Sequence, residues 1–425
     1  MKKIMAFLEK YFVPIAGRIG SQRHLVAIRD GFVVIMPIIM AGSFAVLINN
    51  LPIAPYQNLM TSMLGESWKS FGGQVWMGSF AVMSLLVNFT ISYNVAKSYN
   101  SNAVAAGAVS LASLMAIMQP AAEAFAIPYQ WTGAVGLFVS IFVALVSSEV
   151  FVRLLGNPRL VIKMPEGVPP AVAKSFAALF PSIITLSIFA LLKVFTVLAG
   201  VTDIHALVND IVQAPLLKLA NSMGSALTIA FVNHLLWFFG LHGSNILEPV
   251  MQTVFMQTLD ANISAFQAGA AIPNIVTKPF FDAFVYMGGS GTTITLIAAI
   301  YIASKRKQYR SLANMAAGPG LFNINEPVIF GMPIVLNPIF MIPFICVPVV
   351  TTIISYIALA SGIVPKTVAM IPWTTPPIIS GYLVTGGSVM GSLLQIVNLI
   401  IGIAIYMPFV LMAEKLDTEK ATEEA

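Results

Sequence analysis

Charge is what this chain has least of. Only 9% of its 425 residues are Asp, Glu, Lys or Arg, against roughly 25% in an ordinary soluble domain. The deficit is concentrated, for no charged residue falls in Gly31–Gly65, Ala124–Ser148, Leu219–Leu247, Ala283–Ser304, Pro327–Pro365 or Thr367–Ala413. A helix of about 20 apolar residues crosses a bilayer, so these runs exclude a soluble protein, and several are long enough for more than one crossing. Cysteine is nearly absent as well. The one thiol, Cys346 in "MIPFICVPVV", excludes a disulfide framework and a thiolate metal site. No metal-ligand spacing, Walker loop or Ser-His-Asp arrangement occurs, and neither a metal nor another cofactor is implied.

What the chain does have is apolar surface: 58% of residues are hydrophobic and the mean hydropathy is +0.87. This composition predicts an all-α polytopic membrane protein, with the lipid bilayer as its solvent. The net charge of +5 does not point to nucleic acid, because the basic residues are scattered in short groups beside apolar runs. Arg18, Arg23 and Arg29 form one group; Arg153, Arg159, Lys163 and Lys174 another; Lys305, Arg306, Lys307 and Arg310 a third. That is the pattern of cytoplasmic loops. Charge and amphipathic sequence separate Met1 from the first long apolar run, so no cleavable signal is expected.

Spans are predicted near 31–50, 74–94, 102–119, 131–152 and 176–200, completing an N-terminal half, 1–200. Loops at 51–73 and 120–130 then lie outside with only Glu66, Lys69 and Glu123, and the Lys- and Arg-rich 153–174 lies inside. "VTDIHALVNDIVQAPLLKLA" changes character and reads as an amphipathic connector, 201–221. The C-terminal half, 222–413, adds spans near 223–240, 262–282, 283–303, 338–362 and 392–413, about ten in all. The 262–282 span is the odd one, since it carries Lys278 and Asp282. Both termini, including the acidic tail 414–425, fall on the cytoplasmic side.

The second half is broken by Gly and Pro in "FFGLHGSNILEPV", "AIPNIVTKPFFDAFVYMGGSG", "LFNINEPVIFGMP" and "MIPWTTPPIISGY". Broken backbone survives in a membrane only where protein or a water-filled cavity surrounds it. "NILEPV" (245–250) and "NINEPV" (323–328) share five of six residues. Repeated, Pro-interrupted elements point to a transporter's binding site, and these two are read as re-entrant hairpins.

Glu326 is the sharpest residue. Pro327 follows it, Gly331 and Pro333 break the segment again, and no further charge appears until Lys366. A carboxylate at mid-bilayer costs at least ~2.5–3.5 kcal/mol, so it should face a polar cavity or a partner. It either accepts hydrogen bonds from a ligand's hydroxyls or ties down its own hairpin's amides. His242, flanked by Gly240 and Gly243, is either a ligand contact or a histidine satisfied by a neighbour. His234 and Glu248 invite structural readings more readily. Asn274, Lys278 and Asp282 share one face wherever their segment is helical. Lys278 and Asp282 would pair, and Asn274 would recognise a hydroxyl. Trp237 and Trp373 could stack on a sugar or mark the membrane interface. "MGGSGTT" (287–293) lacks the Gly-Lys-Ser/Thr ending of a phosphate loop and is read as close helix packing.

"GLHGSNILEPV" and "FNINEPVIFGMPIVLNP", with "HLVAIRDGFVVIMPIIMAGSF", resemble the membrane (IIC) component of the sugar phosphotransferase system, in its lactose/cellobiose/chitobiose family. The resemblance spans nearly the whole chain. It implies a homodimer of about ten-helix protomers, in which the N-terminal half is the dimer scaffold and the C-terminal half carries the sugar between two hairpins. An elevator-type movement of that half as a body is implied too. The family's sugar-site histidine falls on His242, its essential glutamate on Glu326, and its tryptophan and asparagine contacts on Trp237 and Asn274. The implied substrate is a β-linked disaccharide such as cellobiose or diacetylchitobiose. Its phosphate would come from the cysteine of a IIB subunit, itself served by IIA. Cys346 lacks the polar surroundings a phosphocysteine needs, so IIB is expected on a separate chain. Any enzymatic part played here would be that of Glu326 in orienting or deprotonating the sugar hydroxyl. A proton-coupled secondary transporter, with Glu326 and His242 as relay, is the alternative.

Overall fold

A computed structural model describes residues 10–423 except 12, 52, 122–125, 163, 166 and 333. The first nine residues, Glu123, Lys163 and Pro333 therefore lie outside the described residues, as do the side chains of the tail beyond Lys415. All regular structure among the described residues is helical. A chain in hydrocarbon must satisfy its own N–H and C=O groups, and the helix does so within one segment.

Among the described residues, six helices are long and apolar enough to cross a membrane: Arg23–Asn50, Glu66–Ser98, Ala134–Leu155, Pro170–Leu198, Ile339–Ala360 and Val389–Lys415. A seventh arises if the bent pair Ile204–Ala220 and Met223–Phe238 is one span. These match expected runs. Ala103–Ile117 and Thr293–Ala303 fall on two more but are shorter. The run at 262–282 is not one helix. Met256–Gln267 ends there, an extended stretch follows, and Lys278–Phe284 begins anew. The expected count of ten thus exceeds what helix length alone supports. The connector is helical with a π-turn at Asn209–Gln213.

The chain divides into two compact units. One holds Gly20–Gly42 and Gln74–Lys218; the other holds the described residues up to Ile19, Ser43–Gly73 and those from Leu219 onward. The division thus falls three residues before the end of the expected connector, and Ser43–Gly73 groups with the C-terminal half.

Within the first unit, short side chains let helices approach and hydrogen-bond across the gap. Ser84 Oγ donates to the Trp131 carbonyl at 2.9 Å, Ser92 Oγ to that of Ala106 at 2.9 Å, and Asn88 Nδ2 to that of Ser140 at 3.0 Å. Glu149 gathers Tyr99 Oη at 2.8 Å, His24 Nε2 at 2.9 Å and Arg153 at 3.2 Å. Its side chain is 15% exposed, so removing it strips three donors at once. Glu149→Leu is expected to cost about 1–3 kcal/mol, read as a lower thermal midpoint in detergent; an unshifted midpoint would mean that water replaces the acid.

In the second unit the core joins Phe340, Phe344, Val347, Tyr406 and Val410 to the residues following Glu326. The extended stretch before Lys278 is closed by side-chain amides. Asn221 Oδ1 accepts from the Ile275 and Val276 N–H groups at 2.7 and 3.0 Å. Asn262 Oδ1 accepts from Asn274 N at 2.8 Å. Side chains thus satisfy the backbone of Asn274–Val276, while Ala268–Ala271 and Pro273 are exposed.

Candidate functional site

Helix Met223–Phe238 runs out at Phe239, and the chain turns at once into Gly243–Val250. His242 caps that second helix: its Nδ1 accepts the Asn245 N–H at 3.2 Å. An accepting Nδ1 puts the proton of a neutral imidazole on Nε2. Gly243 is demanded by packing, since a Cβ there would lie 2.2 Å from the Asn233 carbonyl oxygen. Of the two close approaches a glycine here allows, a ligand's or a backbone's, Gly243 serves the neighbouring backbone. Gly243→Ala must push the helix start outward, at roughly 1–3 kcal/mol, and should lower the thermal midpoint; no change would show that this junction yields freely.

Trp237 lies behind His242, with ring centroids 4.3 Å apart and planes at 47°. It is 5% exposed, and among the described residues its buried indole N–H meets no acceptor. Its core cluster includes Val328, Ile329, Met332 and Ile334, and Leu336 N donates to the Phe238 carbonyl at 3.0 Å. Two motifs far apart in sequence therefore converge.

Glu326 is the first residue of helix Glu326–Gly331, followed by Pro327. Both placements are favourable, because proline needs no donor in the first turn and a carboxylate suits the positive end of the helix. The Glu326 side chain is exposed, and among the described residues no group bonds its carboxylate. Trp373, 48% exposed, belongs to the same neighbourhood, since its carbonyl accepts from Asn323 Nδ2 at 2.6 Å.

The two Glu-Pro motifs, so alike in sequence, differ in backbone and in charge. All of "NILEPV" is helical, whereas in "NINEPV" Asn323 takes a left-handed φ of +63° and the helix waits for Glu326. Glu248 lies 3.8 Å from Lys278 Nζ and accepts from Gln252 Nε2 at 2.5 Å. Lys278 also bonds Asp282 at 2.9 Å, the pair expected from the spacing of four. These three side chains are only 18%, 6% and 13% exposed for Glu248, Lys278 and Asp282. One acid is neutralised inside the fold and the other faces outward.

Asn274 lies on the extended stretch rather than on the helix of Lys278 and Asp282. Its Nδ2 donates one hydrogen to the Thr258 carbonyl at 3.1 Å, which leaves its side-chain oxygen and second amide hydrogen for a ligand. The structure stacks His242 on Trp237, packs the residues that follow Glu326 into Trp237's core, and sets Asn274 in a separate hydrogen-bonded network. His234 is buried, its Nδ1 bonded to the Ala230 carbonyl at 2.5 Å.

The "MGGSGTT" turn is a packing device, as its sequence suggests. Gly289 has a φ of +90°, and a Cβ on it would lie 2.7 Å from the Asn325 side chain. Gly288 N donates to Asn323 Oδ1 at 2.7 Å, and Asn325 Nδ2 donates to the Ser290 carbonyl at 2.9 Å. Both asparagines beside Glu326 are therefore structural ties, a role that sequence reasoning passed over. Two asparagines in so apolar a run were the available signal.

A carboxylate acceptor, an imidazole and a half-exposed indole suit a neutral, hydroxyl-rich ligand. The family model for phosphotransferase system EIIC matches residues 29–348. The lichenan permease IIC component of Bacillus subtilis is 41% identical, over 100% of this chain and 96% of its own length. The cellobiose-specific EIIC component of Geobacillus stearothermophilus is 40% identical, over 100% and 96%. The solved structure of ChbC, the IIC component from the N,N'-diacetylchitobiose-specific phosphotransferase system, superposes with a TM-score of 0.94 at 39% identity, covering 99% of this chain and 100% of that one. None of these lends support to the proton-coupled alternative. The chain belongs to the EIIC family, the sugar-permease membrane component of the phosphotransferase system.

Proposed function

We propose that this protein translocates a β-linked disaccharide of the cellobiose or diacetylchitobiose type and holds it for phosphorylation by a separate IIB subunit. The observation that carries this reading is the contrast between the two acids: Glu248 is paired inside the fold with Lys278 and Gln252, while Glu326 stands exposed at the head of its helix. An ionised carboxylate accepts strong, charge-assisted hydrogen bonds from hydroxyls. His242 offers its Nε2 proton to a ring or hydroxyl oxygen, Trp237 backs the imidazole from its buried position, and Trp373 offers a face for the apolar side of a sugar. Asn274 contributes through its side-chain oxygen and second amide hydrogen. The sugars in the relatives' names agree, since cellobiose and diacetylchitobiose are both β-linked.

Glu326 also orients the hydroxyl that attacks the IIB phosphocysteine, accepting its proton as the O–P bond forms and the S–P bond breaks, with the IIB cysteine leaving as its thiolate. The thiol of Cys346 plays no part. It lies inside the apolar helix Ile339–Ala360, remote in kind from a phosphate cradle. The chain works as a homodimer of about ten-helix protomers with both termini cytoplasmic. The first half is the scaffold, and the second moves with its two re-entrant hairpins as an elevator.

The test uses membrane vesicles containing the protein, labelled cellobiose and diacetylchitobiose, and phosphorylated IIB from a cellobiose system. Sugar phosphate should collect on the side that holds phospho-IIB, and only when phospho-IIB is supplied. Free sugar accumulating in step with a proton gradient would overturn the proposal.

A further inference from the structure

The helix that His242 caps and the helix that Glu326 begins do not set their own separation. Both are fastened to the five residues Gly288–Thr292. On the His242 side the fastening is a closed ring of three side chains. Asn233 Nδ2 donates to Ser290 Oγ at 3.1 Å, and Ser244 Oγ donates to Asn233 Oδ1 at 3.2 Å. The two hydroxyls are 3.3 Å apart. Ser244 has spent its proton on Asn233, so the hydroxyl bond must run from Ser290 to Ser244. Each member then donates once and accepts once, in one sense around the ring. Asn233 is fully buried and Ser290 is 5% exposed, so water is a poor substitute for a missing member. Bonds arranged head to tail polarise one another, and a ring that loses one member loses that mutual support.

On the Glu326 side, the Ser290 carbonyl accepts from Asn325, the residue before the acid, and Gly288 N donates to Asn323. Asn323 in turn holds the carbonyls of Trp373 and Thr375 at 2.6 and 3.0 Å. Ser290 thus bonds through its hydroxyl to the His242 helix and through its carbonyl to the Glu326 helix. We propose that Ser290, with Asn233 and Ser244, is a positioning element that fixes His242 relative to Glu326 and thereby sets sugar affinity. Neither Ser290 nor its ring partners need touch the sugar. The inference rests on the reading of His242 and Glu326 as the sugar site.

The ring makes a prediction that separate hydrogen bonds would not. Ser290→Ala and Ser244→Ala each open it completely, so each should weaken binding of labelled cellobiose by the detergent-solubilised full chain about five- to tenfold. The double variant should lose less than the product of the two single losses, because either change already removes the Ser290–Ser244 bond and the ring's mutual support, leaving only one bond to Asn233 for the second change to break. Ser244 is only half-buried, which makes its variant the safer of the two should Ser290→Ala fold poorly. Thermal midpoints measured alongside separate positioning from packing, since a packing role alone lowers the midpoint and leaves affinity unchanged. Unchanged affinity in both single variants, or losses that multiply in the double variant, would overturn the proposal. Glu326→Gln measured in parallel distinguishes the two levels. If it loses binding while the ring variants keep it, only the ring inference falls; if it binds normally, the site assignment falls with it.

Discussion

Glu326→Gln should bind sugar about 10- to 100-fold more weakly than the parent protein while reaching the membrane in the same amount. Glutamine keeps the shape of the side chain and one acceptor oxygen, so the helix start at Glu326 has no steric reason to move. What it removes is the charge, and hydrogen bonds to an ionised acceptor contribute about 1.5–3 kcal/mol against about 1 for neutral ones. Since no described residue bonds this carboxylate, its loss leaves no orphaned protein donor, and folding should be indifferent. The measurement is equilibrium binding of labelled cellobiose, with phosphorylation by phospho-IIB followed separately. If binding falls and the phosphorylation rate at saturating sugar does not, the acid only holds the substrate. If both fall, it also serves the transfer step. Normal binding in well-expressed protein would remove Glu326 from the site.

Lys278→Met should have the opposite profile, with a severe loss of folded protein and no selective effect on the sugar. Lys278 is the one cation bonded to both Glu248 and Asp282 in a setting where none of the three is more than 18% exposed. Methionine matches its length, so the damage comes from charge: two carboxylates would remain buried without a counter-ion. Removing one partner of a buried ion pair costs about 3–5 kcal/mol. The sign of the argument can be checked within the same experiment. Changing Glu248 to Gln and Asp282 to Asn in the Lys278→Met background removes the uncompensated charge and should recover most of the thermal midpoint. A Lys278→Met protein as stable as the parent would mean that the cluster is neutralised in some other way.

These two residues also show what a sequence can tell. The Lys278–Asp282 pair was legible because helical spacing is local. Glu248, their third member, was not, since nothing in one dimension links it to a lysine on a different helix. The long charge-free runs gave six spans because length and hydropathy are sufficient for that judgement. The run at 262–282 misled because its interruption is held open by Asn221 and Asn262, two side chains whose partners only the fold reveals. The twin motifs misled in a different way. Five shared residues implied one shared shape, but Gly-Ser ahead of "NILEPV" lets a helix begin early, whereas Asn323 in a left-handed turn delays it. Glu326 and His242 were visible as oddities of composition. That Trp237 lies behind His242 and shares a core with the residues following Glu326 required the structure.

The stretch from Ala268 to Thr277 has the look of a surface loop: no helix, small residues, and a glycine and a proline. Such places are where epitope tags, fluorescent proteins and circular breaks are usually introduced. Yet within it the amides of Asn274–Val276 are sewn to Asn221 and Asn262, and Lys366 grips the Ile272 and Pro273 carbonyls from elsewhere in the chain. An insertion between Ile272 and Val276 would pull out those stitches and leave their peptide groups without partners. For anyone engineering this permease, only the exposed front of the segment, Ala268–Ala271, is free to be opened.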